Sequence, residues 1–417
     1  MKVFIVGSGA TGSVTAKLLA GFANIKKVIV GDVNEKNAKK FLVPDPKVEF
    51  KIIDASKKEE MAPLTDGVTI LINAASPNLN KQLMETALDA GAHYLDMASS
   101  GDGVSIETTQ PFSYDERFKE KGLVALLNAS ASPGVTNLMV GELASGLKHV
   151  EYIKIRILED VRADVPLTAW SKEVAFDEFT ELPYYWDGKQ FATKDNFDDE
   201  EVFDFPAPFI NTKCYMIAQE DIATIPRFIK TKYVDFKAGG SEIEFARTLF
   251  QLGLMKKRPI KVADLMVSPY QFLVKVWPEV PGIEETKKLV EAEKLHDAHF
   301  WASVEVSGTE AVRMENLTSK EATTYHKKKT LRSYILFPHQ AEINKIYPGA
   351  NYVSYAAGLS AAIFAETIPS LAKKGVYPLE AMELKDCDAI IGKLRKHGVK
   401  IEIGDVKMQF LPQPPRA

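Results

Sequence analysis

The chain has 417 residues, enough for two or three compact units at roughly 100 to 200 residues per domain, so a small stapled module is excluded. Apolar residues make up 46% and charged ones 26%, an ordinary globular balance that excludes global disorder and collagen-like structure. A net charge of −4 gives no general pull toward nucleic acid or an anionic membrane, so neither is expected as a partner.

Val3-Phe4-Ile5-Val6 is apolar without alternation, as a parallel strand covered on both faces would be. It is too short for the apolar core of a signal peptide, and no later run approaches the ~18 apolar residues of a membrane helix. The expectation is a soluble cytoplasmic protein. Gly7-Ser8-Gly9-Ala10-Thr11-Gly12 follows, and then Val14, Leu18 and Leu19 recur at helical spacing. Lys27 to Val30 reads as a strand ending at Gly31-Asp32, Lys36 to Phe41 as a helix, and Val48 to Ile53 as a strand ending at Asp54. Val68 to Asn73 is a further strand, Leu79 to Ala90 a helix closed by Gly91, and Tyr94 to Met97 and Leu123 to Leu127 are two more strands. This βα alternation predicts an α/β fold with a doubly wound parallel sheet.

The glycines at 7, 9 and 12 fit the GxGxxG pattern, between a strand and a helix, with Asp32 twenty residues beyond Gly12. In that pattern one glycine permits the tight turn, one lets backbone approach a pyrophosphate and one allows close helix–strand packing, while the helix N-terminus offers N–H groups to phosphate. The expected dinucleotide site comprises Gly7, Gly9, Ala10, Thr11 and Gly12 at the phosphates and Asp32 at the ribose. Asp54 and Ala55 would flank adenine, with Ala74, Ala75 and Pro77 at the nicotinamide. A carboxylate at Asp32 opposes a 2′-phosphate and favours NAD, with Lys36 near enough to keep NADP open.

From about residue 151 the texture changes. Tyr152 to Ile157 and Trp301 to Val306 alternate with period two, which predicts half-exposed antiparallel strands of a second, α+β domain. Tyr355 to Ala365 is rich in small residues and reads as a helix returning to the first domain. Asp198 to Glu201 reads as a surface loop and His326 to Lys329 as a solvated turn. Cys214 and Cys387 stand far apart and read as buried reduced thiols; the seven histidines are scattered, and no metal site is expected.

Four stretches together resemble the saccharopine dehydrogenase-like family, which includes saccharopine reductases, L-lysine 6-dehydrogenases and carboxynorspermidine dehydrogenases. They are Gly7 to Gly12, Tyr94-Leu95-Asp96-Met97, Ser132-Pro133-Gly134-Val135-Thr136-Asn137 and Gly375-Val376-Tyr377-Pro378. Trp170-Ser171 with Asp177 to Thr180 and Asp187-Gly188-Lys189 is a fainter fifth. The resemblance implies a Rossmann domain at 1–130 and 346–417, an inserted α+β domain at 131–345 for substrate and dimerisation, and a homodimer. It also implies hydride transfer between NAD(P) and a C–N bond of a lysine-related amino acid, of the saccharopine dehydrogenase or L-lysine 6-dehydrogenase type. A carboxynorspermidine-type polyamine dehydrogenase and a non-catalytic NAD(P)-binding sensor are the alternatives.

Removing a hydride from an amine carbon requires a neutral amine, hence a nearby proton acceptor. Asp96, at the carboxyl end of its strand, is the expected catalytic residue. Asn137, Trp170 and Lys237 are the expected substrate contacts. Lys237 lies in Phe236-Lys237-Ala238-Gly239-Gly240-Ser241, where family members often carry arginine and an aromatic or histidine ring, so the substrate is expected to differ from saccharopine or lysine.

Overall fold

The computed structural model describes residues 1–98, 109–315 and 322–406. Seven parallel strands form the first sheet: β1 (Lys2–Val6), β2 (Lys27–Asp32), β3 (Val48–Ile52), β4 (Ile70–Asn73), β5 (His93–Asp96), β6 (Val124–Leu127) and a late strand, Gly375–Pro378. Their order is β3-β2-β1-β4-β5-β6 followed by Gly375–Pro378, so the winding reverses between β1 and β4 and opens a crevice at the carboxyl edge. β1 has no polar face because Val3 and Ile5 enter one core cluster and Phe4 and Val6 another. Helix α1 (Ala10–Gly21) covers one side of β1, and helix Asn80–Ala90 ends at Gly91, whose φ of 65° is a left-handed cap that favours glycine.

Helix Tyr352–Thr367 crosses α1 at close range. Gly358 makes this possible, since a Cβ there would stand 2.7 Å from Val14 Cγ1. The chain's return to the first domain is incomplete, however. Strand Lys400–Asp405 pairs antiparallel with Ala322–Leu336 in the second sheet, so the segment 346–417 is divided between both units.

The second sheet has nine strands around β7 (His149–Ala163). β7 pairs antiparallel with Leu295–Glu315 on one side but parallel with Tyr233–Gly239 on the other, so the expected antiparallel character holds on one edge only. Period-two alternation places Ile153, Ile155 and Ile157 in the shared core. Arg156, on the opposite face, is only 1% exposed, and its charge is met by Asp235 through two hydrogen bonds, at 2.9 and 3.0 Å, and by Glu201 through two more, at 2.6 and 3.1 Å. Glu201 therefore belongs to a strand and a buried ion-pair cluster, not to a surface loop. His326 to Lys329 likewise lies within strand Ala322–Leu336 and not in a turn. Cys214 and Cys387 are free and buried, and no helix of the described residues is long and apolar enough to cross a membrane.

Candidate active site

The glycine loop shows which of its positions serve the fold and which leave room for a ligand. Gly7 has φ +106°, and a Cβ on it would lie 2.6 Å from the Ala74 carbonyl oxygen; one on Gly12 would lie 2.2 Å from the Gly7 oxygen. Both are required for the turn to pack. Gly9 precedes the first residue of α1 and has nothing within 4 Å of where its Cβ would be. That open space beside unsatisfied first-turn N–H groups suits a diphosphate, which a larger side chain would exclude. Asp32 ends β2 next to this loop, where its Oδ2 accepts hydrogen bonds from Ser8 N–H at 2.7 Å and Ser8 Oγ at 2.8 Å. Asp54 and Ala55 follow the edge strand β3; Asp54 caps its own turn through Ser56, and the Ala55 carbonyl accepts from Gln82 Nε2 at 2.6 Å. The residues present thus fit a dinucleotide, with Gly9, Thr11 and Asp32 as the groups that would hold it.

The crevice continues into a cleft of about 350 Å³ between the sheet edge and the second domain. Thr11, Ala74, Ala75 and Pro77 line its first-domain side, and Trp170 lines the other. Asn73, buried at the end of β4, shapes the 74–77 loop: its side chain donates to Ser76 O at 3.0 Å and Asn80 Oδ1 at 2.6 Å and accepts from Ala75 N–H at 3.0 Å. Asn80 in turn donates to the Ala98 carbonyl at 2.8 Å, which ties the end of β5 to the same wall.

The far wall is acidic. Glu159, Asp177, Glu178, Glu181 and Glu220 all line the cleft, and its described lining contains no lysine, arginine or histidine. Asp177 is engaged by Tyr270 and Lys257, each at 2.9 Å. Glu159 differs: it is 6% exposed, and no described residue donates to its carboxylate or pairs with it. Burial, reinforced by nearby Glu242, pushes Glu159 up from the ordinary 4.5 to about 8. Burial and the surrounding carboxylates, Glu159 foremost, also raise Glu178 well above the usual range. Burying Glu159 beside Glu178 and Glu242 is costly to the empty protein, and such carboxylates favour a cationic ligand.

None of these acids was expected at the site from the sequence, although Asp177 and Glu178 lie in the fainter fifth stretch of the resemblance. Glu159 carried a usable signal: it continues the 153, 155, 157 register of β7, so a charge falls on the face that is otherwise apolar. The others sit on segments whose placement only the second domain's packing decides.

Of the four residues expected as catalytic or substrate-binding, Asp96, Asn137 and Lys237 lie outside the cleft lining. Asp96 is 1% exposed behind Met97 and Ala98, with Oδ1 accepting from Asn128 N–H at 2.8 Å, and burial raises it to about 7. Asn137 is buried beneath the Ser132-Pro133-Gly134 loop, where its Nδ2 donates to the Asp221 carbonyl at 2.8 Å and Glu380 Oε2 at 3.2 Å. Asp221 also accepts from Ser132 Oγ at 2.7 Å and from Thr136 Oγ1, so this motif is tied into a buried polar network. Lys237 is opposite Arg156 in the ladder, on the face away from the core, and pairs with Glu201 at 3.3 Å and Asp199 at 3.4 Å.

Residues 3–126 match the family described as saccharopine dehydrogenase NADP binding domain. A carboxyaminopropylagmatine dehydrogenase of Synechocystis sp. is 27% identical over 299 residues, 68% of this chain and 74% of that protein. A carboxynorspermidine synthase of Vibrio cholerae is 25% identical over 307 residues, 67% of this chain and 73% of that protein. Among solved structures, saccharopine dehydrogenase (L-Glu forming) from Saccharomyces cerevisiae shares the fold, with TM-score 0.65, 12% identity, and coverage of 97% of this chain and 100% of that one. Homospermidine synthase from Legionella pneumophila, solved with NAD, has TM-score 0.60, 11% identity, and coverage of 100% and 93%. The glycine loop, the switch-point cleft and these likenesses agree on an NAD(P)-binding domain of the saccharopine dehydrogenase type at residues 3–126, in a chain similar to dehydrogenases that carry that domain.

Proposed function

We propose that the protein oxidises or forms the C–N bond of a conjugate between an amino acid and a polyamine, of the carboxynorspermidine type. The carrying observation is the cleft wall of Glu159, Asp177, Glu178, Glu181 and Glu220 with no described lining cation. Such a wall attracts a chain of ammonium groups and opposes saccharopine, which carries three carboxylates. The curated relatives at 27% and 25% identity bear polyamine-type names, which supports this reading over the lysine-specific one.

When bound, the dinucleotide supplies the hydride acceptor, or in reverse the donor. The protein's own groups hold the amine and move its proton. Glu178 receives the proton of the reacting ammonium, because its raised affinity for protons matches it to an amine better than an ordinary carboxylate. Glu159 anchors the amine chain, and Trp170 covers its methylenes. Asp96 supports the wall from behind through Asn128 instead of touching substrate. Asp32 favours NAD over NADP despite the family's NADP description.

Absorbance at 340 nm with each dinucleotide and a panel of amino-acid–polyamine conjugates, lysine and saccharopine tests this. Turnover on the conjugates in preference to lysine and saccharopine is expected. Preferred turnover of saccharopine or lysine would overturn the assignment.

A further inference from the structure

The cleft does not end at Glu159. Glu159 and Trp170 also wall a side chamber of about 50 Å³, whose aromatic lining includes Phe176 and Trp277 and which contains Glu242. Beyond it, Glu242 borders a closed recess of about 10 Å³, room for about one water-sized group. The recess is lined by three buried oxygens that can each accept a hydrogen bond. Tyr352 Oη, Thr286 Oγ1 and Gln340 Oε1 are all buried and have no hydrogen-bond partner among the described residues. Gln340 commits its Nε2 to Asn344 Oδ1 and the Ala350 carbonyl, each at 2.8 Å, so only its acceptor oxygen is left over.

The charges nearest the recess are acidic. Glu242 interacts with Glu159 on the cleft side and with Asp160, and both Glu159 and Glu242 act on Tyr352. Lys172, which lines the chamber, is turned to Glu279 Oε1 at 2.5 Å and the Trp277 carbonyl at 3.4 Å. No lysine, arginine or histidine lines the recess among the described residues.

We infer that the recess, with Glu242 at its mouth, is a subsite for the terminal primary ammonium of the substrate's amine tail, reached from the cleft past Glu159. The inference rests on the polyamine-conjugate reading above and adds the chemistry and position of the tail's end. A primary ammonium is compact, carries three donors and no acceptor, and so matches a recess of acceptors the size of a water molecule. A guanidinium is planar and larger and calls for forked carboxylates that the recess lacks. The aromatic walls of the chamber suit the methylene arm between the two cations.

The test has two arms on the full-length protein. In calorimetric titration, linear α,ω-diamines should bind roughly 10- to 100-fold more tightly than monoamines of equal carbon number, the range of a charged hydrogen-bonded contact. Glu242→Gln should bring that ratio close to one, and the gentler Tyr352→Phe should lower it several-fold without unfolding the chain. In the 340 nm assay, secondary-amine conjugates of one amino acid are compared with tails ending in methyl, ammonium or guanidinium. The ratio of kcat/KM for ammonium over methyl should fall in both variants. Turnover with equal kcat/KM for methyl and ammonium tails, or no preference for diamines in wild-type protein, would overturn the subsite, leaving the recess a water site. Preference for guanidinium would overturn the choice of ammonium. A retained diamine preference without turnover of any conjugate would support the subsite and overturn the proposed reaction instead.

Discussion

The two walls of the cleft are built on different principles. On the first-domain side, recognition is carried by backbone and by the absence of side chains: Gly9 leaves space, and Ala74, Ala75 and Pro77 keep the wall low. On the second-domain side it is carried by ionisable side chains, with the buried Glu159 and the half-buried Glu178 at the centre. A backbone cradle costs the empty protein little. A wall in which Glu159 is buried among other carboxylates burdens it until a cation arrives. The comparison predicts that damage on the first side separates cleanly into fold and binding, whereas damage on the second trades activity against stability.

The largest effects should come from the glycines. Gly12→Val drives side-chain atoms into the Gly7 carbonyl and should cost several kcal/mol, on the order of a severe overpacking defect, read as loss of the cooperative thermal transition. Gly9→Val meets open space, so its Tm should stay near wild type while dinucleotide affinity falls by roughly 100-fold or more in a fluorescence titration. If both variants unfold, the division between packing glycines and a binding glycine is wrong.

Next is Glu178→Gln. Loss of a positioned proton acceptor should lower kcat by roughly 10²- to 10⁴-fold with dinucleotide binding unchanged. Wild-type kcat would remove Glu178 from the chemistry. Asp96→Asn is the matched control and should leave kcat within about threefold, since Asp96 acts only through the wall.

Glu159→Gln sharpens the trade-off. It should raise KM for cationic substrates roughly 10- to 100-fold, as removal of one charged contact does. It should also stabilise the empty protein in a pH-dependent way. Glu159 binds its proton more tightly folded than unfolded, so the folded state holds the extra proton between about 4.5 and about 8, and wild-type stability falls as pH rises through that window. The variant lacks this slope. Its Tm should therefore exceed wild type at pH 8, with the gap closing toward pH 5. A gap that widens toward pH 5 would contradict the buried, uncompensated state of Glu159.

The smallest effect is expected at Asp32. Asp32→Asn removes the charge facing the ribose and should shift the NADP/NAD affinity ratio roughly tenfold toward NADP in parallel titrations. An unchanged ratio would place the ribose elsewhere.

Legibility in the sequence follows the same division. The first six strands of the first sheet, the glycine loop and the carboxylate at Asp32 could be read in order because each is a local signal: an apolar run, a turn motif, or a spacing of about 20 residues. Trp170, which stands in the fainter fifth stretch, lines the cleft. Lys237 was misplaced for a physical reason: pairing opposite Arg156 turns it to the sheet face that holds Glu201 and Asp199. Asp96 and Asn137 lie one layer behind the surface they were expected to form, because Met97 and Ala98 cover the first and the Ser132 loop covers the second.

By itself the sequence determined that this chain builds a doubly wound sheet with a dinucleotide site at its switch point, since those features depend on short-range periodicity and on glycine's freedom from a Cβ. Tertiary structure alone decided what faces that site. Glu159, Glu178 and Glu220 come from separate elements of the second domain, and β7, helix Lys172–Glu178 and the turn at Glu220–Ile222 meet only when the two sheets share a core. Their chemistry arises from being brought together around one cleft, and that convergence is a property of packing that no single stretch of residues encodes.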